Sequence, residues 1–134
     1  MKETIRPFQP ENEYYISEGC HIIEMLQAED DNFLSIARAR VQPGVTTRWH
    51  HLLGTTERYV ILEGRGLVEV GDLPPQEVAA GDVVLIPPGC RQRINNTGKD
   101  SLLFLAICTP PFRPENYQET NVTSAEVNGP QRNS

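Results

Sequence analysis

The sequence has no apolar run long enough to cross a bilayer and no signal-peptide pattern at its start. The longest apolar stretches, such as Leu102 to Cys108, are far shorter than the roughly 20 residues that a membrane-spanning helix needs. The opening residues Met1 to Thr4 lead into no hydrophobic segment of the kind that directs secretion. We therefore expect no membrane partner and a cytoplasmic location.

The chain is also poor in cysteine and has no concentrated basic charge. Its three cysteines, Cys20, Cys90 and Cys108, are widely spaced and odd in number, which excludes a disulfide framework and a C-x-x-C metal or redox pair. The formal net charge is −6, and the arginines are scattered, which argues against the basic surface that binds nucleic acid. We expect a reducing compartment and no nucleic-acid partner.

Helical periodicity is scarce, and short strand-like segments take its place. From Cys20 to Cys108, apolar or β-branched segments alternate with clusters of Gly, Pro, Asn and Asp, which is the pattern of an all-β sandwich or barrel. The predicted strands run roughly from Cys20 to Leu26, Asn32 to Val41, Thr46 to Leu52, Glu57 to Leu62, Gly66 to Val70, Gln76 to Ala79, Val83 to Ile86, Arg91 to Asn95 and Leu102 to Cys108.

The length of 134 residues predicts one domain, with a barrel flanked by two extensions. We predict an N-terminal arm at 1–18 that could pair across a dimer, the barrel at 19–110, and a C-terminal extension at 111–134. In that extension, Phe112 and Tyr117 are expected to anchor a proline-rich segment on the barrel. The polar residues from about Gln118 onward are expected to be flexible.

The strand predicted from Glu57 to Leu62 has apolar residues on both faces. Tyr59 and Ile61 share one face, and Val60 and Leu62 share the other, so neither face suits water. The N-terminal segment or a second subunit must cover the outer face. We expect a homodimer, because small sheets with two apolar faces commonly pack in this way.

Two stretches carry residues at spacings typical of one protein family. In the first, from Pro43 to Gly64, a glycine precedes His50 by six residues, the acid Glu57 follows it by seven, and a glycine follows the acid by seven. In the second, from Gly81 to Asn96, a proline follows the first glycine by six residues and another glycine follows the proline by two. The paired motifs resemble those of the cupin superfamily, and the resemblance covers about Asn32 to Cys108.

This resemblance implies a small, single-domain jelly-roll barrel, the double-stranded β-helix of cupins. In cupins that bind a metal, the first motif supplies two histidines one residue apart and the acid, and the second motif supplies a third histidine. This sequence keeps His50 and Glu57, but Leu52 stands at the second histidine position and Gln92 at the third. His51 points away from His50 on a regular strand, so the sequence leaves open whether a bulge turns His51, in place of Leu52, toward the cavity.

The candidate metal ligands are therefore His50, Glu57, Gln92 and, with a bulge, His51. An imidazole, a carboxylate and an amide oxygen predict an open site for a divalent ion such as Fe, Mn, Ni or Zn. The resemblance leaves open an oxygenase or an isomerase that acts on a small chelating substrate. In either case Glu57 is the candidate proton acceptor, and Tyr59, on the same strand face, is the candidate proton donor.

A second interpretation of the same residues needs no metal. His50 hydrogen-bonded to Glu57 would give a polar pocket, Gln92 could satisfy the same carboxylate, and Tyr59 could serve in packing. The alternative function is then a module that binds or senses a small ligand without catalysis. The loss of the second and third histidines favours this alternative.

Overall fold

The computed structural model describes residues 1–120, and these residues form eleven strands. They are β1 (Tyr14–Ile16), β2 (Cys20–Leu26), β3 (Ser35–Val41), β4 (His50–Leu52), β5 (Thr56–Glu63), β6 (Arg65–Val70), β7 (Gln76–Ala79), β8 (Val83–Ile86), β9 (Gln92–Asn96), β10 (Leu102–Thr109) and β11 (Tyr117–Glu119). Single-turn 3-10 helices at Pro10–Asn12 and Pro114–Asn116 precede β1 and β11. Within these residues, no helix has the length and apolar character needed to span a membrane.

The strands form two sheets whose order interleaves distant parts of the chain. One sheet has the order β1-β2-β3-β10-β5-β8, and the other has the order β11-β4-β9-β6-β7. The pairings between these strands are antiparallel, and β10 lies between β3 and β5. This arrangement confirms the all-β jelly-roll barrel, a double-stranded β-helix, that the sequence predicts.

Side chains in the barrel alternate between interior and surface with the two-residue period of β-strands. On β5, Glu57, Tyr59 and Ile61 are buried, whereas the residues between them are partly exposed. After β5, Gly64 turns the chain into β6 with a φ of 87°, and a Cβ there would lie 2.8 Å from the carbonyl oxygen of Ser101. This turn therefore requires glycine.

Two short strands, β1 and β11, were not predicted from the sequence. Each has three residues, which is too short for an alternating pattern to be recognised. β1 pairs with β2 and β11 pairs with β4, so both predicted extensions add a strand to the sheets. Gln118, where the flexible tail was predicted to begin, lies inside β11, and residues 121–134 lie outside the described part of the chain.

The strand predicted from Thr46 to Leu52 is shorter in the structure. Only its last three residues form β4, and Thr46 makes an isolated bridge with Asn95. Between them, the hydroxyl of Thr47 accepts a hydrogen bond from a backbone N–H of β9 at 3.0 Å. The Thr47 side chain thus binds a backbone N–H of β9 at this point, and this interrupts the regular β-ladder.

The apolar core occupies one end of the barrel. Val41, Ile61, Ile94 and Leu102 pack at this end, and none of them is more than 1% exposed. They come from β3, β5, β9 and β10, so both sheets contribute to this core. At the opposite end of β3, β5 and β9, the buried side chains Ser35, Glu57 and Gln92 are polar.

The outer face of the six-stranded sheet is covered only in part. The ring centroid of Phe8, in the N-terminal segment, lies 5.1 Å from the guanidinium carbon of Arg38. Glu13 forms hydrogen bonds with two arginines of β3. Further along the same face, Val83 and Leu85 of β8 are exposed. The N-terminal segment therefore covers one part of this face and leaves an apolar part open.

Candidate functional site

A cavity of about 540 Å³ opens at the polar end of the barrel. Its walls come mainly from β2, β3, β5 and β10. Phe112 and Tyr117, the residues expected to anchor the C-terminal extension, contribute to the wall after β10. The side chains with acid–base chemistry in the inner wall are Glu18, Cys20, His50, Glu57, Tyr59 and Cys108.

β4 directs His50 into the cavity. Its Nδ1 lies 2.9 Å from the carbonyl oxygen of Arg48, and since a carbonyl only accepts, Nδ1 carries the ring proton and Nε2 is the basic nitrogen. Tyr117 stacks on the imidazole with ring centroids 5.2 Å apart. The side chain is only 3% exposed, and its Nε2 faces Glu18 Oε1 at 3.6 Å, which is beyond hydrogen-bond distance.

The neighbours of His50 on β4 divide as strand geometry requires. Leu52 is buried and lines the cavity beside His50. His51 points to the other face, where its Nδ1 lies 2.8 Å from the hydroxyl of Thr120. The pairing of β4 with β11 runs without a register shift, so no bulge turns His51 inward. The structure brings Leu52, and not His51, to the cavity.

Gln92 connects two other predicted residues in a hydrogen-bonded chain. Its Nε2 donates to Glu57 Oε1 at 2.7 Å, and its Oε1 accepts a hydrogen bond from the hydroxyl of Tyr59. Gln92 is fully buried and pairs with His50 across β4 and β9, but it is not part of the cavity wall. The structure therefore places Glu57 and Tyr59 at the cavity and Gln92 behind them.

Glu18 is a cavity residue that sequence reasoning missed. It lies in the turn between β1 and β2, outside both motifs, where its carbonyl oxygen accepts a hydrogen bond from the backbone of Arg48 at 2.8 Å. Gly19 follows with a φ of 111°, and the turn brings the Glu18 carboxyl beside His50. An acid before a glycine is common in turns, so no signal in the sequence connected Glu18 to the motifs.

Both cavity glutamates are able to exchange protons near neutral pH. Burial raises the pKa of Glu18 to about 7, against a lowering effect of the Cys20 thiol, which lies 3.8 Å from Oε2. Burial also raises the pKa of Glu57 to about 7, with a lowering effect of His50, a further rise from the charge of Glu18, and a lowering effect of Gln92. Since the ordinary value is 4.5, both carboxyls retain their protons to a higher pH than an exposed glutamate does.

Burial also favours the neutral forms of His50 and Tyr59. It lowers the pKa of His50, against the opposing effects of the Arg48 carbonyl and the charge of Glu57, so the imidazole is neutral at neutral pH. The 3.6 Å contact of His50 with Glu18 is therefore a polar contact and not an ion pair under these conditions. Burial also raises the pKa of the Tyr59 phenol well above its usual range.

The donor set that the resemblance implies for a metal does not converge in the structure. Leu52 occupies one donor position, His51 faces away, and both ends of the Gln92 amide are hydrogen-bonded to neighbouring side chains. Within residues 1–120, no three His, Cys, Asp or Glu side chains are arranged to hold a metal ion. The predicted ligands therefore do not fit a three-donor metal centre.

The sequence is similar to one family and to one curated protein. The family model for the cupin domain matches residues 37–108, which is more than half of the chain. Over 84 residues the chain is 39% identical to the uncharacterized protein MJ1618 of Methanocaldococcus jannaschii. That match covers 63% of this chain and 66% of the relative, just under two thirds of its length.

Solved structures share the fold. A predicted oxalate decarboxylase from Thermotoga maritima is 29% identical, with a TM-score of 0.62 over 68% of this chain and 80% of that one. KdgF from Halomonas sp. is 13% identical, with a TM-score of 0.73 over 85% of this chain and 98% of that one, a likeness that shows the fold alone. By its family match and its fold, the chain belongs to the cupin family.

Proposed function

We propose that this cupin binds a small organic molecule in its cavity and moves a proton to or from it. The observation that carries the proposal is that three proton-exchanging side chains, Glu18, His50 and Glu57, meet at one cavity. With pKa values of about 7, each carboxyl can act as acid or base near neutral pH. Cupins bind small molecules, and the cavity volume is within the range of such sites.

In this proposal Glu57 carries a proton, and hydrogen bonds hold its carboxyl group in one orientation. Gln92 donates a hydrogen bond to its Oε1, and Tyr59 in turn donates to the Gln92 carbonyl oxygen. Because that bond engages the phenolic proton, Tyr59 acts as a positioning residue and not as the proton donor that the sequence suggested. The basic Nε2 of His50 supplies a second proton acceptor.

Isomerisation is the reaction that this set of side chains supports most directly. One carboxylate removes a proton from a carbon of the bound molecule and becomes a carboxylic acid, while a protonated partner delivers a proton to another atom. The number of protons is conserved, and only donors and acceptors of protons are needed. The oxalate named for the Thermotoga maritima relative is a dianion, which an inner wall with two carboxyl groups would repel.

Isotope incorporation from solvent tests the proton transfer. A panel of small molecules is incubated with the protein in D₂O, and deuterium at carbon is followed by NMR and mass spectrometry. We expect incorporation into molecules that bind, and its loss in Glu57→Gln. Glu77→Gln, on the exposed strand β7, makes the same charge change away from the cavity and serves as the control. Binding without exchange for every binder would contradict proton transfer and favour the binding or sensor module.

A cavity-filling variant tests the binding independently. Ala106 lines the cavity, so Ala106→Trp is expected to abolish binding of the panel molecules. Ala80→Trp, on an exposed turn before β8, adds the same side chain outside the cavity and should leave binding unchanged. Equal affinities of wild type and Ala106→Trp, measured by ligand-observed NMR, would contradict binding in this cavity.

A divalent metal ion is the second candidate for this cavity, and one contact favours it. His50 Nε2 and Glu18 Oε1 are 3.6 Å apart, a separation that suits two ligands of one ion with bonds of about 2.0 to 2.2 Å. Metal binding is common among cupins, and Fe, Mn, Ni and Zn accept such donors. Elemental analysis before and after reconstitution with each ion tests this candidate. Less than about a tenth of an equivalent per chain in both analyses would contradict it.

We also propose that a second copy of the chain covers the open apolar face. Val83 and Leu85 of β8 are 63% and 61% exposed, and as residues i and i+2 of one strand they lie side by side on one face that a second copy can bury. Leu85→Glu is expected to shift the sedimentation coefficient toward the monomer. Leu73→Glu, in the exposed loop before β7, is the matched control. A wild-type protein that is monomeric at micromolar concentration would contradict the homodimer.

A further inference from the structure

The cavity wall carries a strong excess of acidic side chains. Among residues 1–120, the one arginine or lysine in the wall is Arg113. Five acidic residues line the same cavity: Glu18, Glu24, Glu29, Glu57 and Glu115. A cavity with this balance attracts cations and repels anions.

The acidic residues occupy two levels of the cavity. Glu24, Glu29 and Glu115 are exposed, so they lie at its mouth, where an entering molecule meets them first. Glu18 and Glu57 are on the inner wall beside His50. Acidic side chains therefore line both the mouth and the inner end, and a bound cation favours the ionised form of Glu18 and Glu57.

Much of the remainder of the wall is apolar or aromatic. Its largest apolar side chains near the acidic inner end are Leu52, Phe104, Phe112 and Tyr117, and Ala106 leaves space between them. Such a wall suits a hydrocarbon or aromatic body, and aromatic faces also attract cations.

At the inner end, one acceptor has no donor among residues 1–120. Nδ1 of His50 is bonded to the backbone, whereas its Nε2 has Glu18 Oε1 at 3.6 Å and no hydrogen bond. Both facing atoms are acceptors when the carboxyl is ionised, and one nitrogen atom can lie about 2.9 Å from both. An ammonium group brings three donors and no acceptor, a hydroxyl brings one donor, and a carboxylate brings none.

We propose that the ligand of this cavity is an amphipathic amine whose ammonium group binds between His50 and Glu18, with Glu57 nearby. This inference rests on the proposed binding function and adds the chemical class of the ligand. The apolar part of the amine lies against the aromatic wall, and the acidic mouth increases the rate at which cations enter.

A charge-matched series of ligands tests the inference. Phenylbutylamine, phenylbutanol and phenylbutyrate have nearly the same size and differ in charge, and their affinities for the full chain are measured by titration calorimetry. We expect the amine to bind about tenfold more tightly than the alcohol, and the carboxylate to bind most weakly. An alcohol or carboxylate that binds as tightly as the amine overturns the inference and leaves the binding function standing. Failure of all three to bind also overturns it, while the Ala106→Trp experiment on the wider panel decides the binding function.

Variants at the inner end test whether the charge of Glu18 binds the ammonium group. Glu18→Gln keeps the shape of the side chain and is expected to weaken the amine about tenfold while leaving the alcohol unchanged. Glu77→Gln, with the same charge change on β7, should alter neither affinity. Equal weakening of amine and alcohol by Glu18→Gln, or no weakening of the amine, overturns the placement of the ammonium group. Thermal unfolding of both variants verifies that they are folded.

Discussion

The two ends of the barrel are built by the same strands and bury different kinds of side chain. Along β5, Glu57 is followed on the inner face by Tyr59 and then Ile61. Along β9, Gln92 is followed by Ile94 in the same way. At one end the buried groups form hydrogen bonds around a cavity, and at the other they pack in the apolar core.

Buried polar groups occur at both ends, and their partners differ. Asn96 is buried at the apolar end, where its Nδ2 donates to the carbonyls of Val41 and Asp100 and its Oδ1 accepts from Gly98. At the cavity, by contrast, Nε2 of His50 has no hydrogen-bond donor within the described residues. Polar groups at the apolar end are satisfied by the chain itself, whereas those at the cavity retain capacity for a ligand.

Truncation of Leu102 is expected to give the largest effect on stability. Leu102 is fully buried at the apolar end, so Leu102→Ala should lower the free energy of unfolding by about 2 to 5 kcal/mol, as measured by urea denaturation. Leu103→Ala, on the outer face of β10, should cost less than about 1 kcal/mol. The ligand affinity of folded Leu102→Ala should match that of the wild type. A large loss of affinity would contradict the conclusion that the apolar end and the cavity end act independently.

Raising the pH should destabilise the protein through the cavity glutamates. Glu18 and Glu57 have folded pKa values of about 7 against an ordinary 4.5, so the folded protein keeps protons that the unfolded chain has released between these pH values. The free energy of unfolding therefore falls as pH rises through this window and levels off above it. For each carboxyl, the fall is about 1.4 kcal/mol per unit of pKa difference.

The doubly substituted variant Glu18→Gln, Glu57→Gln isolates this pH effect. Its free energy of unfolding, measured by urea denaturation at successive pH values, should lack the fall that the wild type shows. Burial lowers the pKa of His50, which has the opposite consequence, a loss of stability as pH falls below about 6.5. Since His50 is present in both proteins, the difference between their profiles reports the glutamates. Parallel profiles would contradict the raised pKa values.

Removal of the Gln92 amide should give an intermediate effect at the cavity end. Gln92→Leu leaves Glu57 and Tyr59 without their shared partner, at a cost of about 1 to 3 kcal/mol in urea denaturation. Because the lost hydrogen bond lowers the pKa of Glu57, that pKa should rise further. Gln76→Leu on exposed β7 is the control, and an equal cost in both variants would show that the buried chain contributes nothing.

His51→Ala should give the smallest effect, and its comparison with His50→Ala, the adjacent position on β4, gives the sharpest contrast. His51→Ala removes a contact with Thr120 outside the cavity and should cost less than about 1 kcal/mol, with ligand affinity unchanged. His50→Ala should abolish ligand binding measured by calorimetry, because it removes the acceptor at the inner end. Loss of binding in His51→Ala would contradict the assignment of the two faces.

The sequence predicted much of this arrangement from spacing alone. The two-residue period placed Glu57 with Tyr59 and His50 with Leu52, and these pairs do share the cavity face. Whether a bulge changed the orientation of His51 could not be predicted, since bulges depend on how the partner strand pairs. The hydrogen bonds of Gln92 could not be predicted either, because an amide serves as ligand, donor or acceptor according to its neighbours.

Strand periodicity, turn residues and the two motifs determined the barrel, its inward-facing residues and its family. Local patterns suffice for these features because side-chain alternation and glycine turns follow from neighbouring residues. Only the tertiary structure decided the chemistry of the cavity. Glu18 reaches His50 because a turn distant in sequence folds against β4, and burial there raises the pKa of two carboxyl groups. Such proximity and burial are set by the whole fold, so local patterns could not predict that two acids meet His50 in one cavity.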